Sequence, residues 1–275
     1  MYHKSQVAAR FGRAAEHYKC HSQVQDQVAA LLLDCLPTEV KQRQLLRLLD
    51  LGCGPGSQQA LLFNSLTPPT FSYFGLDLAP AMVQTAQQML AQHMNQTGLN
   101  DGLSGQVIQA DGEALPFADN TVDLIYSNMA MQWFNRPDSA LAECARVLTP
   151  NGYFLCSVVL PNSLLPLDQL LPSFVNPQRT FEDWCALIKS SPLRLIAAEA
   201  RQVSGHFRDC RAVLKSISGV GADAAPQSKD NTAEEKRLRL TKRMWEQLNA
   251  AYEGYRTPKG LPLHYHIGFF VIGSQ

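Results

Sequence analysis

Leu49-Asp50-Leu51-Gly52-Cys53-Gly54-Pro55-Gly56-Ser57 runs as an apolar strand into a glycine-rich turn, and that turn decides the fold. Gly52, Gly54 and Gly56 can take positive φ or leave room where a Cβ would collide, so the backbone can approach a ligand closely. The helix expected from about Gln58 would add its N-terminal amides. Asp77, with Leu78 beside it, closes the next hydrophobic segment about twenty residues on, where a carboxylate accepts hydrogen bonds from ribose hydroxyls. A lone glycine-rich strand end is also an ordinary tight turn, but in this company it implies a nucleoside cofactor.

The glycine spacing narrows the choice. A dinucleotide site uses G-x-G-x-x-G to aim amides at a pyrophosphate; here the third glycine falls one place early and Ser57 takes the dinucleotide position. Asp50, opening the motif, suits a positively charged amino or sulfonium group better than a pyrophosphate. S-adenosylmethionine carries both groups.

The whole chain sets the frame for that site. Its 275 residues, 45% hydrophobic and 17% charged, suffice for one well-buried α/β domain plus an insertion. With 24 basic and 24 acidic side chains the formal charge is zero, which argues against a nucleic-acid binder that neutralises many phosphates. The seven cysteines are scattered and contain no C-x-x-C pair, as expected of reduced thiols in a cytosol. No apolar run is long enough for a membrane span, and Met1 to Arg10 is too polar for a signal peptide, so a cytoplasmic protein with no membrane contact is expected.

Strand-like runs at Leu45 to Leu51, Phe71 to Leu78, Gly105 to Ala110, Val122 to Ser127 and Gly152 to Leu160 alternate with helical patterns at Gln58 to Asn64, Pro80 to Asn95 and Asp138 to Leu148. This alternation is the mark of βαβ units on a parallel sheet. Beyond Leu160 the rhythm breaks into a proline-rich stretch, followed by a strand at Arg194 to Val203 and a helix from about Asp209 to Ile217. Next come a mobile loop at Gly219 to Asn231, a long helix from about Ala233 to Tyr255, and a closing strand at Leu263 to Ile272 that fits an antiparallel insertion into the sheet. We therefore expect one domain over 1–275: an N-terminal helical lid at 1–44, a cofactor-binding core at 45–160, a substrate-side insertion with helices at 161–260, and a closing strand at 261–275.

Further candidates lie at successive strand ends. Asp111 is placed to accept from an exocyclic amine such as adenine N6, with the Gly112 amide meeting a ring nitrogen; its bland alternative is a turn cap. Ser127 and Trp133 follow the fourth strand, facing the expected methyl group, although Trp133 suits the core equally well. Tyr18 sits in a helix-like segment where an aromatic more often packs than reacts. His264 and His266 share a strand face without a third ligand nearby, so no metal is expected. The cations Lys236, Arg237, Arg239, Lys242 and Arg243 form either a solvated helix face or a surface for an acidic partner.

Leu49 to Ser57, Gly75-Leu76-Asp77-Leu78, Ala110 to Phe117 and Val122 to Asn128 together resemble the ordered motifs of class I S-adenosylmethionine-dependent methyltransferases. That resemblance implies a Rossmann-like α/β fold with a mostly parallel seven-stranded sheet, an antiparallel C-terminal strand and helices on both faces. Phe11 to Ala15 with Tyr18, Ser127-Asn128 with Gln132-Trp133, Leu214 to Ile217 with Gly219 to Ala222, and Leu261 to Leu263 with Tyr265 are further similar to the malonyl-acyl-carrier-protein O-methyltransferases of biotin synthesis. Pro55 and Ser57 depart slightly from the pattern, and Pro161 to Ser191 matches it weakly.

This second resemblance implies methylation of the free carboxylate of a malonyl thioester. It places Tyr18 in a lid over cofactor and substrate, and makes Arg211, Lys215 and the cationic helix candidates for meeting an acidic carrier protein. A carboxylic acid with a pKa of about 4 is already ionised at neutral pH, so the reaction requires no base. Another small carboxylic acid or a quinone-like phenol would share the cofactor residues, and a non-enzymatic binding scaffold would lack turnover.

Overall fold

The computed structural model describes residues 3–66, 68–97, 103–171, 176–222 and 241–275. Strands β1 (Leu45–Leu51), β2 (Thr70–Asp77), β3 (Leu103–Gln109), β4 (Val122–Asn128), β5 (Leu148–Val159), β6 (Leu193–Phe207) and β7 (Leu261–Ser274) form one sheet in the order β3-β2-β1-β4-β5-β7-β6. The pairs β1/β2, β2/β3, β1/β4 and β4/β5 are parallel, whereas β7 runs antiparallel to both β5 and β6. This is the class I methyltransferase architecture expected from the sequence.

The helices are α1 (Lys4–Ala14), α2 (Gln23–Asp34), α3 (Thr38–Lys41), α4 (Gln59–Ser65), α5 (Pro80–Thr97), α6 (Pro137–Val147), α7 (Leu167–Leu170), α8 (Phe181–Lys189), α9 (Cys210–Ser218) and α10 (Lys242–Glu253). Alternation along β1 sorts its leucines between two cores. Leu46 and Leu48 pack with Leu32 of α2, Leu62 of α4 and Leu90 of α5, while Leu49 and Leu51 pack with Leu141 of α6 and Ile188 of α8. Burial of each such side chain contributes roughly 1.5–3 kcal/mol. The closing strand is similarly split: Ile267 and Phe269 join the first core, Phe270 and Ile272 the second. A strand buried on both faces needs neighbours on both edges, which is why the last strand lies inside the sheet. The exposed edge falls to β6, whose Arg194, Glu199 and Arg201 discourage further pairing.

Local chemistry sets the helix starts. Thr180 and Asp183 form a reciprocal capping box on α8, and Asp209 accepts from the Ala212 amide at 2.7 Å to open α9. Thr241 accepts from the Met244 amide and lies in extended backbone, so α10 begins at Lys242 instead of continuing a helix from Ala233. Residues 233–240, including Lys236, Arg237 and Arg239, and most of the expected loop at 219–231 lie outside the described residues.

The 1–44 lid divides, because Val28 and Leu32 of α2 are fully buried against the sheet, leaving α1 and the turn at Tyr18 over the cleft. The 161–260 segment supplies β6 to the sheet, α8 to the second core through Ile188, and α7, α9 and α10 to the first through Leu167, Val213 and Leu248. Their apolar faces are what recruit α2 and α8 into the core.

Asp123 on β4 fastens the end of the sheet. It accepts from Arg47 Nε at 2.8 Å, the Arg47 amide at 3.0 Å, Arg43 at 2.9 Å and Thr149 at 3.0 Å. Burial pushes its carboxyl pKa up, but Arg47 outweighs that and holds it below the ordinary value. The stability it supplies is present above the unfolded-state pKa of about 3.9 and is lost as pH falls through the lower folded value. Asp123→Asn should cost about 2 kcal/mol in urea unfolding, and the difference from wild type should shrink on acidification; a pH-independent difference would contradict this role.

Candidate active site

The glycine turn is pinned before any ligand arrives. The amides of Gly52 and Cys53 both donate to the Leu76 carbonyl, at 2.8 and 3.0 Å, and the Gly54 amide donates to Asp77 Oδ2 at 3.0 Å. Gly52 has φ 77° and a Cβ there would collide with that of Ala130. Gly54 has φ 55° and nothing within 4 Å of where a Cβ would stand, because it opens on a cavity. Gly56 has another role: a Cβ there would fall 2.7 Å from the Gln59 side chain and 3.1 Å from Ala86, so it permits the close approach of α4 and α5 away from the cavity wall.

That cavity is walled by Gly52, Gly54, Asp77, Leu78, Asp111 and Gly112, six of the expected cofactor residues. Asp77 Oδ1 accepts from the Ala79 amide at 2.8 Å, which orients the carboxylate. Burial lifts its pKa to about 6 against the pull of the Ala79 and Gly54 amides. Asp111 Oδ1 accepts from the Glu113 amide at 3.0 Å, and Gly112 lets the ring of Phe134 lie within 2.6 Å of where a Cβ would be.

Asp50 and Ser127 lie behind the wall. Asp50 is 2% exposed and accepts from Tyr73 Oη at 2.9 Å; burial lifts its pKa to about 7. It reaches a ligand's charge only through the turn above it, because its even strand position points into the sheet face occupied by Tyr73. Ser127 is fully buried and donates to the Leu51 carbonyl at 2.9 Å, so it ties β4 to β1 and is absent from both cavity walls. Asn128 and Met129 take the place expected of it. Asn128 accepts from Ser157 Oγ at 2.8 Å and donates to the Gln25 carbonyl at 3.0 Å, and Met129 is held at φ 54°, a conformation uncommon for a side-chain-bearing residue.

A second cavity adjoins the first. The two enclose about 780 and 840 Å³, counting their open mouths, and share Phe11, Tyr18, Met129 and Trp133. Phe11 meets Trp133 edge-on, with centroids 5.4 Å apart and planes at 81°. Burial raises the Tyr18 phenol well above its ordinary pKa, with Asp26 and Asp77 adding to the effect, so it stays a neutral hydrogen-bond donor. The second cavity is further lined by Gln132, Asp168 and Tyr265, and Gln132 Oε1 and Asp168 Oδ1 are buried without a protein partner.

A methyltransferase-domain family profile matches residues 49–156, which covers the glycine turn through β5. The malonyl-[acyl-carrier protein] O-methyltransferase of Hahella chejuensis is 32% identical over 98% of this chain and 90% of its own length. The chain belongs to that family. The enzyme of the same name from Enterobacter lignolyticus is 30% identical, covering 96% of this chain and 95% of its own. Among solved structures, the complex between the Haloferax volcanii Trm112 methyltransferase activator and a protein described as a methyltransferase matches with a TM-score of 0.58, at 22% identity over 98% of this chain and 96% of that one.

As a member of this family the protein is an S-adenosylmethionine-dependent methyltransferase. The residues present fit that cofactor: an open cradle over Gly54 that any Cβ would fill, an oriented carboxylate at Asp77 for ribose hydroxyls, and Asp111 at the third strand end. Among the described residues no helix is long and apolar enough to cross a membrane, and no three His, Cys, Asp or Glu side chains gather as a metal site. His264 Nδ1 is instead 2.7 Å from Ser204 Oγ.

Sequence reasoning missed Lys4, Val7, Gln25, Met129 and Asp168 as cavity residues. The helical spacing of Lys4, Val7 and Phe11 was a usable signal; nothing local marked Asp168.

Two predictions follow the geometry. Gly54→Val should remove cofactor binding by calorimetry and, because a β-branched residue is strained at φ 55°, lower the thermal midpoint by a few degrees while the protein stays folded. A cationic ligand favours the ionised forms of Asp77 and Asp50, whose free-enzyme pKa values are about 6 and 7, so binding should release protons and tighten as pH rises from about 5 to 8; an affinity flat across that range would contradict the assignment.

Proposed function

We propose that this enzyme methylates the free carboxylate of a malonyl thioester carried on acyl-carrier protein, giving the methyl ester that starts pimeloyl synthesis for biotin. The observation that carries the reading is the breadth of the match: the relatives align over nearly the whole chain, including the N-terminal helix and the substrate-side helices outside the cofactor core. Their names specify the malonyl carrier-protein substrate.

When bound, S-adenosylmethionine would supply an electrophilic methyl group with a neutral thioether as its leaving group. The rest of the work is alignment. A malonyl carboxylate in the second cavity approaches the transfer point between Phe11, Tyr18, Met129 and Trp133 already ionised, so no side chain has to remove a proton. Tyr18 donates a hydrogen bond that orients the incoming oxygen, and the Phe11–Trp133 edge excludes water as opposite charges neutralise. Orientation of this kind can supply roughly 7 to 11 kcal/mol of barrier lowering. Gln132 and Asp168, with their unpartnered oxygens, are suited to accept from amide groups of the carrier's prosthetic arm.

The carrier docks beside the second cavity. Arg211 and Lys215 are exposed on α9, whose Ile217 lines that cavity, and Arg211 stacks 5.8 Å over the ring of Trp245 near exposed Lys242 and Arg243. Lys236, Arg237 and Arg239, also expected to meet the carrier, lie outside the described residues.

The test is transfer of labelled methyl to malonyl-carrier protein, malonyl-coenzyme A and free malonate in parallel, followed by mild base. Base-labile label chiefly on the carrier-bound thioester is expected; turnover of unrelated small acids or phenols alone would replace this reading. Tyr18→Phe should lower kcat roughly tenfold or more while shifting cofactor affinity little. Unchanged kcat would take Tyr18 out of the site.

A further inference from the structure

Lys4, Val7 and Phe11 stand at positions i, i+3 and i+7 of α1, and all three line the cofactor cavity. At one end of the helix Lys4 Nζ lies 2.5 Å from Asp111 Oδ2 and 2.6 Å from Glu113 Oε2. At the other, Phe11 meets Trp133 at the junction with the second cavity. The helix is therefore a bar across the cleft, fastened at the expected adenine end by charge and at the transfer end by an aromatic edge.

Glu113 is a fixed anchor for the charged end. Its side chain is only 9% exposed, and Oε1 accepts from the amides of Asn135 and Arg136 at 2.7 and 3.1 Å, leaving Oε2 for Lys4. In Asp111 one oxygen is already held by the Glu113 amide, so Oδ2 is the one that faces Lys4 and the cleft. An adenine amine using Asp111 would share that oxygen with the lysine, which couples ligand and helix through one carboxylate. Elsewhere α1 rests on α5, mostly through small side chains, with a Cβ at Gly12 standing 3.6 Å from that of Ala81 and Ala14, Ala15, Ala79 and Met82 alongside, and on Gly221, where a Cβ would stand 2.9 Å from Phe11 Cα. Small contacts of this kind let a helix lift without breaking a core.

We propose that Lys4 is a positioning residue for the cofactor: its ion pairs with Asp111 and Glu113 hold α1 across the cleft and set how long the nucleoside ligand remains bound. The inference concerns the cofactor cleft alone and holds whichever acid is methylated. Because the lysine and Asp111 are each about one-third exposed, the fastening is sensitive to salt.

The experiment follows dissociation of radiolabelled S-adenosylhomocysteine from the full-length enzyme by chase with unlabelled ligand, with no methyl acceptor present. Lys4→Met should dissociate about fivefold faster than wild type, the upper range for a partly exposed ion pair, and Lys4→Arg should recover most of the difference. Raising salt from about 0.05 M to about 0.5 M should bring the wild-type rate toward that of Lys4→Met and leave the methionine variant nearly unchanged. Equal dissociation rates for wild type and Lys4→Met would overturn the proposal. So would a methionine variant as salt-dependent as wild type, since the salt effect would then lie elsewhere.

Discussion

The site depends on how the turn after β1 is tied to the end of β2. Two consecutive amides, from Gly52 and Cys53, converge on the Leu76 carbonyl, and the next glycine's amide reaches the Asp77 carboxylate. These bonds hold the glycines at positive φ and keep the cleft open above Gly54. They also fix the Asp77 carboxylate relative to the turn. One local constraint thus positions backbone and carboxylate together, and the parallel register of β1 and β2 carries it into the sheet. A pre-formed cradle spares a ligand the entropy of ordering a loop.

The buried carboxyl groups under and beside this turn carry an energetic tension. Asp50 is withdrawn from water and Asp77 partly so, without a lysine or arginine partner among their hydrogen bonds; Asp50 has a tyrosine hydroxyl and Asp77 has backbone amides. Desolvation disfavours their charged forms, which makes the cleft receptive to a cation. Asp123, at the opposite end of the strands, has the opposite arrangement, with two arginines holding its charge in place. The same residue type thus serves a ligand site in one setting and the scaffold in the other.

Helix α1 borders both cavities. Its Phe11 reaches both cavities, while its Lys4 reaches the end of the cofactor cavity where Asp111 stands. The two cavities share Phe11, Tyr18, Met129 and Trp133, beside the small apolar cluster of Ala14, Ala15, Ala79 and Met82. Restricting weak packing to the cover allows ligand exchange while the double-sided core around β1, β4 and β7 stays intact.

The sequence by itself determined the strand-turn-helix that opens the core, the carboxylates Asp77 and Asp111 at strand ends, where they line the cavity, and the alternation that yields a parallel sheet. Those signals are local: apolar runs, glycine spacing and strand-end residues lie within a few positions of one another. It also foresaw an antiparallel closing strand, since Leu261 to Ser274 follows helices instead of a βαβ crossover. Tertiary structure alone decided that Ser127 bonds the Leu51 carbonyl beneath the site while Asn128 and Met129 reach the cleft, because a single pleat step separates the two faces of a strand. It alone turned α2 from lid into core and brought Lys4 to Asp111 and Glu113 across more than a hundred residues of chain. Pairings at that separation leave no local trace, because they follow from the packing of whole elements and from no preference of the residues' immediate neighbours.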